Sequence, residues 1–264
     1  MTALGGRTTV VTGVSREAGI GAAVARQFAN EGARLFLTGW SPDDAHQPWG
    51  EDSGGGEGVR DRLRAEGARV EYAAVDLADP EAPGRLMAEA TAALGHVDVL
   101  VANNARSSRQ SLAELTAAEL DLSFAVNARA SLLLARHLAD QHDGRVGGPI
   151  VLFTSGQYQG AMPDELPYIA SKAVVQQLTA SLAVTLGPHA ITVNCVNPGP
   201  NDTGYATGQL RRAVEEAIPG RRWGRPEDTA RLVAWLCSDE AGWVTAQTIA
   251  SDGGWSSGQP APRR

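Results

Sequence analysis

Ser155, Tyr168 and Lys172 lie in one stretch, TSGQYQGAMPDELPYIASK (154–172), and their side chains suit proton transfer. Tyr168 and Lys172 are four positions apart, so on a helix they share a face. A phenol ordinarily ionises at about pH 10, too high to exchange protons readily near neutrality. A neighbouring ammonium favours the phenolate and lowers that value. A phenol tuned in this way gives a proton to a forming alkoxide and, in reverse, takes one from an alcohol. Ser155, thirteen positions before Tyr168, is placed to hydrogen-bond the same substrate oxygen. Each residue alone has a plain structural role: a Tyr packs, a Lys is solvated, a Ser ends a strand. The set gains meaning beside a second motif near the N-terminus.

There, an apolar run ends in TGVSREAGIG (12–21), with Gly13, Gly19 and Gly21 bracketing a strand-to-helix turn that also holds Ser15, Arg16 and Ile20. Glycines allow close backbone approach to a phosphate, and the helix N-terminus offers free N–H groups at the positive end of its dipole. Gly21 also lets the helix pack close to the strand. The second apolar run ends LTGWSP, with Thr38, Gly39 and Trp40 and no acid before Asp43. A carboxylate there would bind the ribose hydroxyls of NAD and repel a 2′-phosphate. Its absence favours NADP(H) over NAD(H), with the Arg16 guanidinium as a phosphate partner or, alternatively, as a solvated loop residue. Asp76 closes the third run and is placed to meet the adenine edge beside Leu77, or to cap the next helix. Asn103, Asn104 and Ala105 end the fourth run and would line the cofactor.

Seven apolar runs carry these motifs: 8–13, 34–39, 69–76, 97–104, 148–155, 191–198 and 246–254. Helical patterns lie between them, notably 19–31, 80–94, 116–143 and 166–186. Near-continuous apolar strands alternating with helices predict an α/β chain: one doubly wound Rossmann domain over 1–264, a parallel seven-stranded sheet with helices on both faces. Residues 40–58 read as a long polar loop, and 256–264 as a frayed tail. The paired Asp residues and His46 of that loop match no metal site, so no metal is expected. The stretch 173–188 has no charged residue, although a helix outside a sheet should show water a charged face. A second subunit over that face, in a homodimer or homotetramer, would account for it.

The net charge of −7 and pI near 5.3 argue against a nucleic-acid surface. Cys195 and Cys237 form no metal or redox motif and read as buried thiols in a reducing compartment. The start of the chain has no leader pattern, and 173–188 is too short to span a bilayer. The expectation is a cytoplasmic protein acting on a small molecule, with neither nucleic acid nor membrane as partner.

Taken together, the Gly-rich turn, Asp76, NNA (103–105), Asn127 in FAVN, Ser155, YIASK (168–172), NPGPNDT (197–203), RWGRPED (222–228) and SDGG (251–254) resemble the short-chain dehydrogenase/reductase family over essentially the whole chain. The resemblance implies that Asn127 joins a proton relay to Lys172 and that Lys172 binds the nicotinamide ribose. It implies that Pro198, Gly199, Asn201 and Thr203 clamp the nicotinamide end. Two departures stand out. Five residues separate Gly13 from Gly19, more than the family uses, and Arg106 follows NNA where the family has Gly. Arg106 is expected either to meet an anionic substrate or to point into solvent. Gln157, Tyr158, Met162 and Leu166, with Tyr205 on a mobile lid over 204–224, would form the substrate pocket.

The activity implied is hydride transfer between nicotinamide and a carbonyl or secondary alcohol, with NADPH-dependent reduction of a ketone or a 3-oxoacyl thioester favoured. Arginines 211, 212, 221 and 222 would suit an acidic carrier. An NAD-dependent alcohol dehydrogenase is the enzyme alternative. A nucleotide-sensing protein without turnover is the rival of another class, and its usual sign, a broken Ser–Tyr–Lys set, is missing.

Overall fold

The computed structural model describes residues 3–45, 47, 50–141, 143, 148–206 and 208–258. Its strands are β1 (Thr8–Val11), β2 (Arg34–Gly39), β3 (Val70–Ala74), β4 (Val99–Ala102), β5 (Ile150–Phe153), β6 (Val193–Asn197) and β7 (Thr248–Ala250). All pair in parallel, in the order β3-β2-β1-β4-β5-β6-β7. The sheet order reverses between β1 and β4, and the crevice at such a switch point is where open α/β sheets bind ligands.

The helices are α1 (Ile20–Asn30), α2 (Ser41–Asp44), α3 (Gly55–Ala65), α4 (Ala82–Leu94), α5 (Ala117–Ser123), α6 (Ala130–Asp140), α7 (Leu166–Leu186), α8 (Gly208–Ala217), α9 (Pro226–Leu236) and α10 (Trp255–Gly258). Side chains alternate across the strands, so each face of the sheet buries its own apolar layer. Val11, Leu35 and Leu37 pack with Phe28, Leu63 and Val233 on the face covered by α1, α3 and α9. Val10, Phe36 and Leu100 pack with Leu86, Leu134 and Val175 on the face covered by α4, α6 and α7. Both cysteines are free and buried, and burial pushes both thiols up, Cys195 to about 11.

Several expectations need correction. The polar 40–58 segment is not one loop: α2 forms immediately after β2, and α3 starts at Gly55. Its glycines hid α3, but Gly56 is required there, because a Cβ would sit 2.1 Å from the Tyr72 ring and 2.4 Å from the Val14 carbonyl oxygen. His46 lies outside the described residues. The long helix expected over 116–143 is divided by a π-helical turn, Phe124–Arg129. In the tail, Trp255–Gly258 is helical, and 259–264 lies outside the described residues. The strands stop short of Asp76, Asn103, Asn104 and Ser155, leaving all four beyond the carboxyl edge of the sheet. The helix expected over 166–186 is present as α7 and carries most of the charge-free stretch, but with the turn that follows it the apolar segment is longer than 173–188. Leu166–His189 is long and apolar enough, by length and composition, to cross a membrane. Here one face of α7 packs on β5, β6 and the π-helical turn.

The first helix depends on backbone contact. A Cβ at Gly21 would lie 2.4 Å from the Gly13 carbonyl oxygen, closer than any side chain permits. Gly21→Ala should therefore lower stability by about 1–3 kcal/mol. Gly58→Ala, inside α3 with nothing within 4 Å of the added methyl, should raise it by about 0.5–1 kcal/mol. Urea denaturation midpoints of the two variants check both signs.

Candidate active site

Ser155 follows β5, and its hydroxyl lies close enough to the Tyr168 phenol, on the first turns of α7, to bear on its ionisation. Tyr168 is half-buried, and burial raises its pKa; the Ser155 hydroxyl opposes the shift and nearby Glu165 adds to it. Lys172 is buried, and its Nζ donates to the Phe153 carbonyl at 3.0 Å, 5.9 Å from the centre of the Tyr168 ring. Burial lowers its pKa to about 8. The simple expectation that the ammonium depresses the phenol is thus not realised in this state. The lysine faces a carbonyl, and its own pKa falls.

Asn127 sits on the π-helical turn, a geometry often found at functional sites. Its amide oxygen accepts the Arg106 N–H at 2.6 Å, and its amide nitrogen donates to the Arg106 carbonyl at 3.1 Å and to Ser171 Oγ at 2.8 Å. Ser171 in turn donates to the Tyr168 carbonyl at 2.7 Å. Asn127 therefore ties β4's exit loop to the helix that carries Tyr168 and Lys172.

A cleft of about 280 Å³ opens at the switch point. Of the residues the sequence assigns to a cofactor, Gly13, Ser15, Trp40, Asp76, Leu77, Asn104 and Ala105 line it. Asp76 accepts the Ala78 N–H at 2.8 Å, forming a local turn, whereas Asp79 makes the corresponding bond to the Glu81 N–H at the start of α4. Asn103 lies behind the turn and donates to the carbonyls of Thr12 and Gly13 at 3.2 and 3.1 Å. The Asn104 side chain is occupied within the fold by the Thr12 hydroxyl, the Val126 carbonyl and Ser131. Gly19 precedes α1, and Ile20 and Gly21 begin it.

Arg16 is not among the lining residues. Its guanidinium donates to the Thr203 carbonyl at 2.8 Å and lies 4.0 Å from Asp52. The expected partner of a 2′-phosphate is thus turned toward the other end of the site. Asp52 also accepts the Glu17 N–H at 2.6 Å, so the segment after α2 reaches back to the Gly-rich turn.

Past β6, Gly199 accepts no Cβ, which would lie 2.3 Å from Asp252 Cβ, and its N–H donates to Asn197 at 3.0 Å. Asn201 is buried and donates to the Pro198 carbonyl at 2.5 Å, while Thr203 donates its N–H to the Asn201 carbonyl at 3.1 Å. The Asn201 side-chain oxygen is buried without a partner among the described residues. That orphan acceptor, with the glycine cradle at Gly13 and Gly21, fits a dinucleotide laid from the Gly-rich turn toward Tyr168.

On the substrate side, Gln157 departs from expectation. Its amide is taken up by Thr154 Oγ at 2.8 Å, Gln176 at 3.2 Å and the Ser155 N–H at 3.2 Å, so it braces the Ser155 turn. Tyr205 does stand beside Tyr168, and burial with that neighbour pushes its phenol up to about 12. Its ring meets Trp223 edge-on at 5.5 Å, within a small apolar cluster of Ala206, Val214, Ile218 and Trp255. The expected lid is therefore packed on a core of its own, braced by an Asp202–Arg211 ion pair.

Sequence reasoning missed Asp44, which lines the cleft, and Ser171, Glu165 and Glu119, which surround the Tyr168 helix and the cleft mouth. Arg106 neither meets solvent alone nor awaits a substrate: Glu119 receives its guanidinium at 2.7 and 3.1 Å. A signal existed, since Thr116 and Glu119 have capping-box spacing, but only the Thr116 side chain caps α5. The Glu119 carboxyl is held below its usual range, chiefly by Arg106. A depressed carboxyl stabilises the fold above its usual range, and that contribution is lost as the pH falls through the lowered value. Glu119→Gln should cost about 1–3 kcal/mol near neutrality and progressively less in acid, as chemical denaturation at several pH values would show.

Comparison with known proteins gives the chain its family. Residues 13–256 match the family model described as Enoyl-(Acyl carrier protein) reductase. The Bacillus subtilis (strain 168) oxidoreductase YjdA is 36% identical over 254 residues, covering 96% of this chain and 98% of its own. A short-chain type dehydrogenase/reductase of Picea abies is 35% identical over 258 residues, covering 95% and 93% respectively. A Serratia marcescens short-chain dehydrogenase/reductase mutant superposes with a TM-score of 0.85 at 31% identity, over 96% of this chain and 99% of the other. A blue fluorescent protein from a metagenomic library, solved with NADPH, gives 0.83 at 30% identity, over 96% and 99%. With its cleft at the switch point and Ser155, Tyr168 and Lys172 beside it, the chain belongs to the short-chain dehydrogenase/reductase family, NAD(P)-dependent oxidoreductases acting on CH–OH and C=O groups.

Proposed function

We propose that the chain interconverts a small ketone and its secondary alcohol, with Tyr168 as the acid–base. The observation that carries this reading is the Tyr168 phenol beside Ser155 and over Lys172, whose buried Nζ lies 5.9 Å from the phenol ring centre and is held by the Phe153 carbonyl. The nicotinamide dinucleotide, when bound, supplies or accepts the hydride. It would lie against Gly13, Ser15, Asp76, Leu77 and Ala105 and run to Asn201 and Thr203. Ser155 orients the substrate oxygen, and Tyr168 gives that oxygen a proton in reduction or removes one in oxidation. Lys172 restores the Tyr168 proton, and Asn127, through Ser171, fixes the helix on which both stand.

A carrier-bound acyl substrate has less support. Arg211 pairs with Asp202, Arg222 with Asp228, and Arg221 bonds the Glu216 carbonyl, so three of the four arginines that would meet an acidic carrier are held within the chain. The active form is taken to be a homo-oligomer joined through the charge-free face of α7. Val184 there is 78% exposed, and Phe124, on the π-helical turn that packs on α7, is 45% exposed. Sedimentation showing only monomer at micromolar concentration would remove that part of the proposal.

Tyr168→Phe should lower turnover by about a hundredfold or more while leaving dinucleotide binding intact. Single-turnover kinetics with a ketone panel and equilibrium cofactor titration read the two effects separately. The pH profile has a defined sign. Below about 8, Lys172 is charged and has a proton to pass on; above it, Lys172 can receive one. Reduction should therefore fall, and oxidation rise, as the pH passes upward through that value. Lys172→Met should remove the inflection in both directions.

A further inference from the structure

One side chain of the Gly-rich turn reaches across the crevice to the segment after β6. Arg16 is the middle residue between Gly13 and Gly19, in a turn longer than the family uses. The turn fixes its backbone: the Arg16 carbonyl accepts the Gly19 N–H at 3.1 Å, and Asp52 accepts the next N–H, that of Glu17, at 2.6 Å. The guanidinium then crosses to the Thr203 carbonyl, to which it donates at 2.8 Å, and the side chain is only 11% exposed. We infer that Arg16 is a positioning residue for the nicotinamide end of the dinucleotide. It acts through Thr203, by holding the segment that grips that end, and not as a partner of the phosphates. The inference rests on reading the cleft as a dinucleotide site.

The segment needs such a tie. Gly199 and Gly204 bracket it with φ of +61° and +95°, conformations that glycine adopts freely. Its internal bonds are short in range: the Thr203 N–H reaches only the Asn201 carbonyl, and the Gly204 N–H only the Asp202 side chain at 3.2 Å. Gly224 anchors it from the α9 side, accepting the Asp202 N–H at 2.9 Å and donating to the Pro200 carbonyl at 3.0 Å. Arg16 supplies the tie from the other side, a charge-assisted bond from 187 positions earlier. A Cβ at Gly204 would lie 3.2 Å from Arg16 Nη2, so the glycine leaves the guanidinium its passage. Gly13 and Ser15 of the same turn line the cleft, and Arg16 does not. A segment already fixed when its ligand arrives loses less freedom on binding than one the ligand must order.

Isothermal titration calorimetry separates the two roles of Arg16 without requiring turnover. NADH and NADPH are each compared with the fragment that lacks nicotinamide, ADP-ribose and 2′-phospho-ADP-ribose respectively, and the pair holding the tighter dinucleotide is followed in the variants. Arg16→Ala should weaken the dinucleotide about tenfold and leave its fragment within about twofold of the wild type. Amide hydrogen exchange over 201–206 should be faster in that variant without ligand. A loss shared equally by dinucleotide and fragment overturns the inference and puts Arg16 on the phosphates. Unchanged affinities, or unchanged exchange, in a variant with native circular dichroism and thermal midpoint overturn it as well. Arg16→Gln, shorter and uncharged, carries the same comparison if Arg16→Ala does not fold. A wild type that binds the dinucleotide no more tightly than its fragment also overturns it, because there is then no grip on the nicotinamide to lose. Binding of neither dinucleotide overturns it together with the reading of the cleft.

Discussion

Lys172 is the constraint on which the site depends. An ammonium removed from water is costly unless it finds hydrogen-bond partners, and this one lies between α7 and the sheet with the Phe153 carbonyl as its acceptor. That bond exists only if α7 sits at one height on β5. Once it does, Tyr168, one turn earlier, and Ser155, two residues beyond Phe153, meet over the edge of the sheet. The drop of the lysine to about 8 is the measure of that burial, and it brings a proton-exchanging group close to neutrality. The same desolvation that makes Lys172 easier to deprotonate makes Tyr168 harder to ionise. The pair is tuned in opposite directions by one environment.

Around that contact, two asparagines hold the crevice open. Asn104 links β1, through Thr12, to the π-helical turn, through Val126, and Asn127 links the same turn to α7 through Ser171. Both are buried, so each unmade bond would be expensive, and both networks are well satisfied. The π-helical turn is what brings the Asn127 amide to both the Arg106 backbone and Ser171. The adjoining strand exit is held by the Arg106–Glu119 fork, which occupies the position where the family has a glycine.

The two ends of the site are joined by a chain of polar contacts. Asp52, from the segment after α2, holds the Gly-rich turn at Glu17, and Arg16 from that turn holds Thr203 on the far side of the crevice. The segment that follows packs Tyr205 against Trp223 and closes over its own apolar cluster with Trp255. The part of the chain that differs most from the family's usual spacing is thus the part that spans the site.

The sequence by itself determined the architecture and the chemical set. Apolar runs alternating with helices leave a parallel sheet covered on both faces as the way to bury them, and Ser155, Tyr168 and Lys172 are legible because a helix repeat and a strand end fix their relative places. It also located the Gly-rich turn, since a Cβ at Gly13 or Gly21 would collide with backbone. The tertiary structure decided what depends on neighbours distant in sequence. Gln157 is consumed by Gln176, Arg16 by Thr203 and Arg106 by Glu119, and no local pattern announces those partners. The direction of the Tyr168 shift was likewise hidden, because desolvation depends on what covers a residue rather than on what lies four positions away. Asp44 shows the difference most plainly: in sequence it lies beyond the end of β2, and a single helical turn carries it to the wall of the cleft.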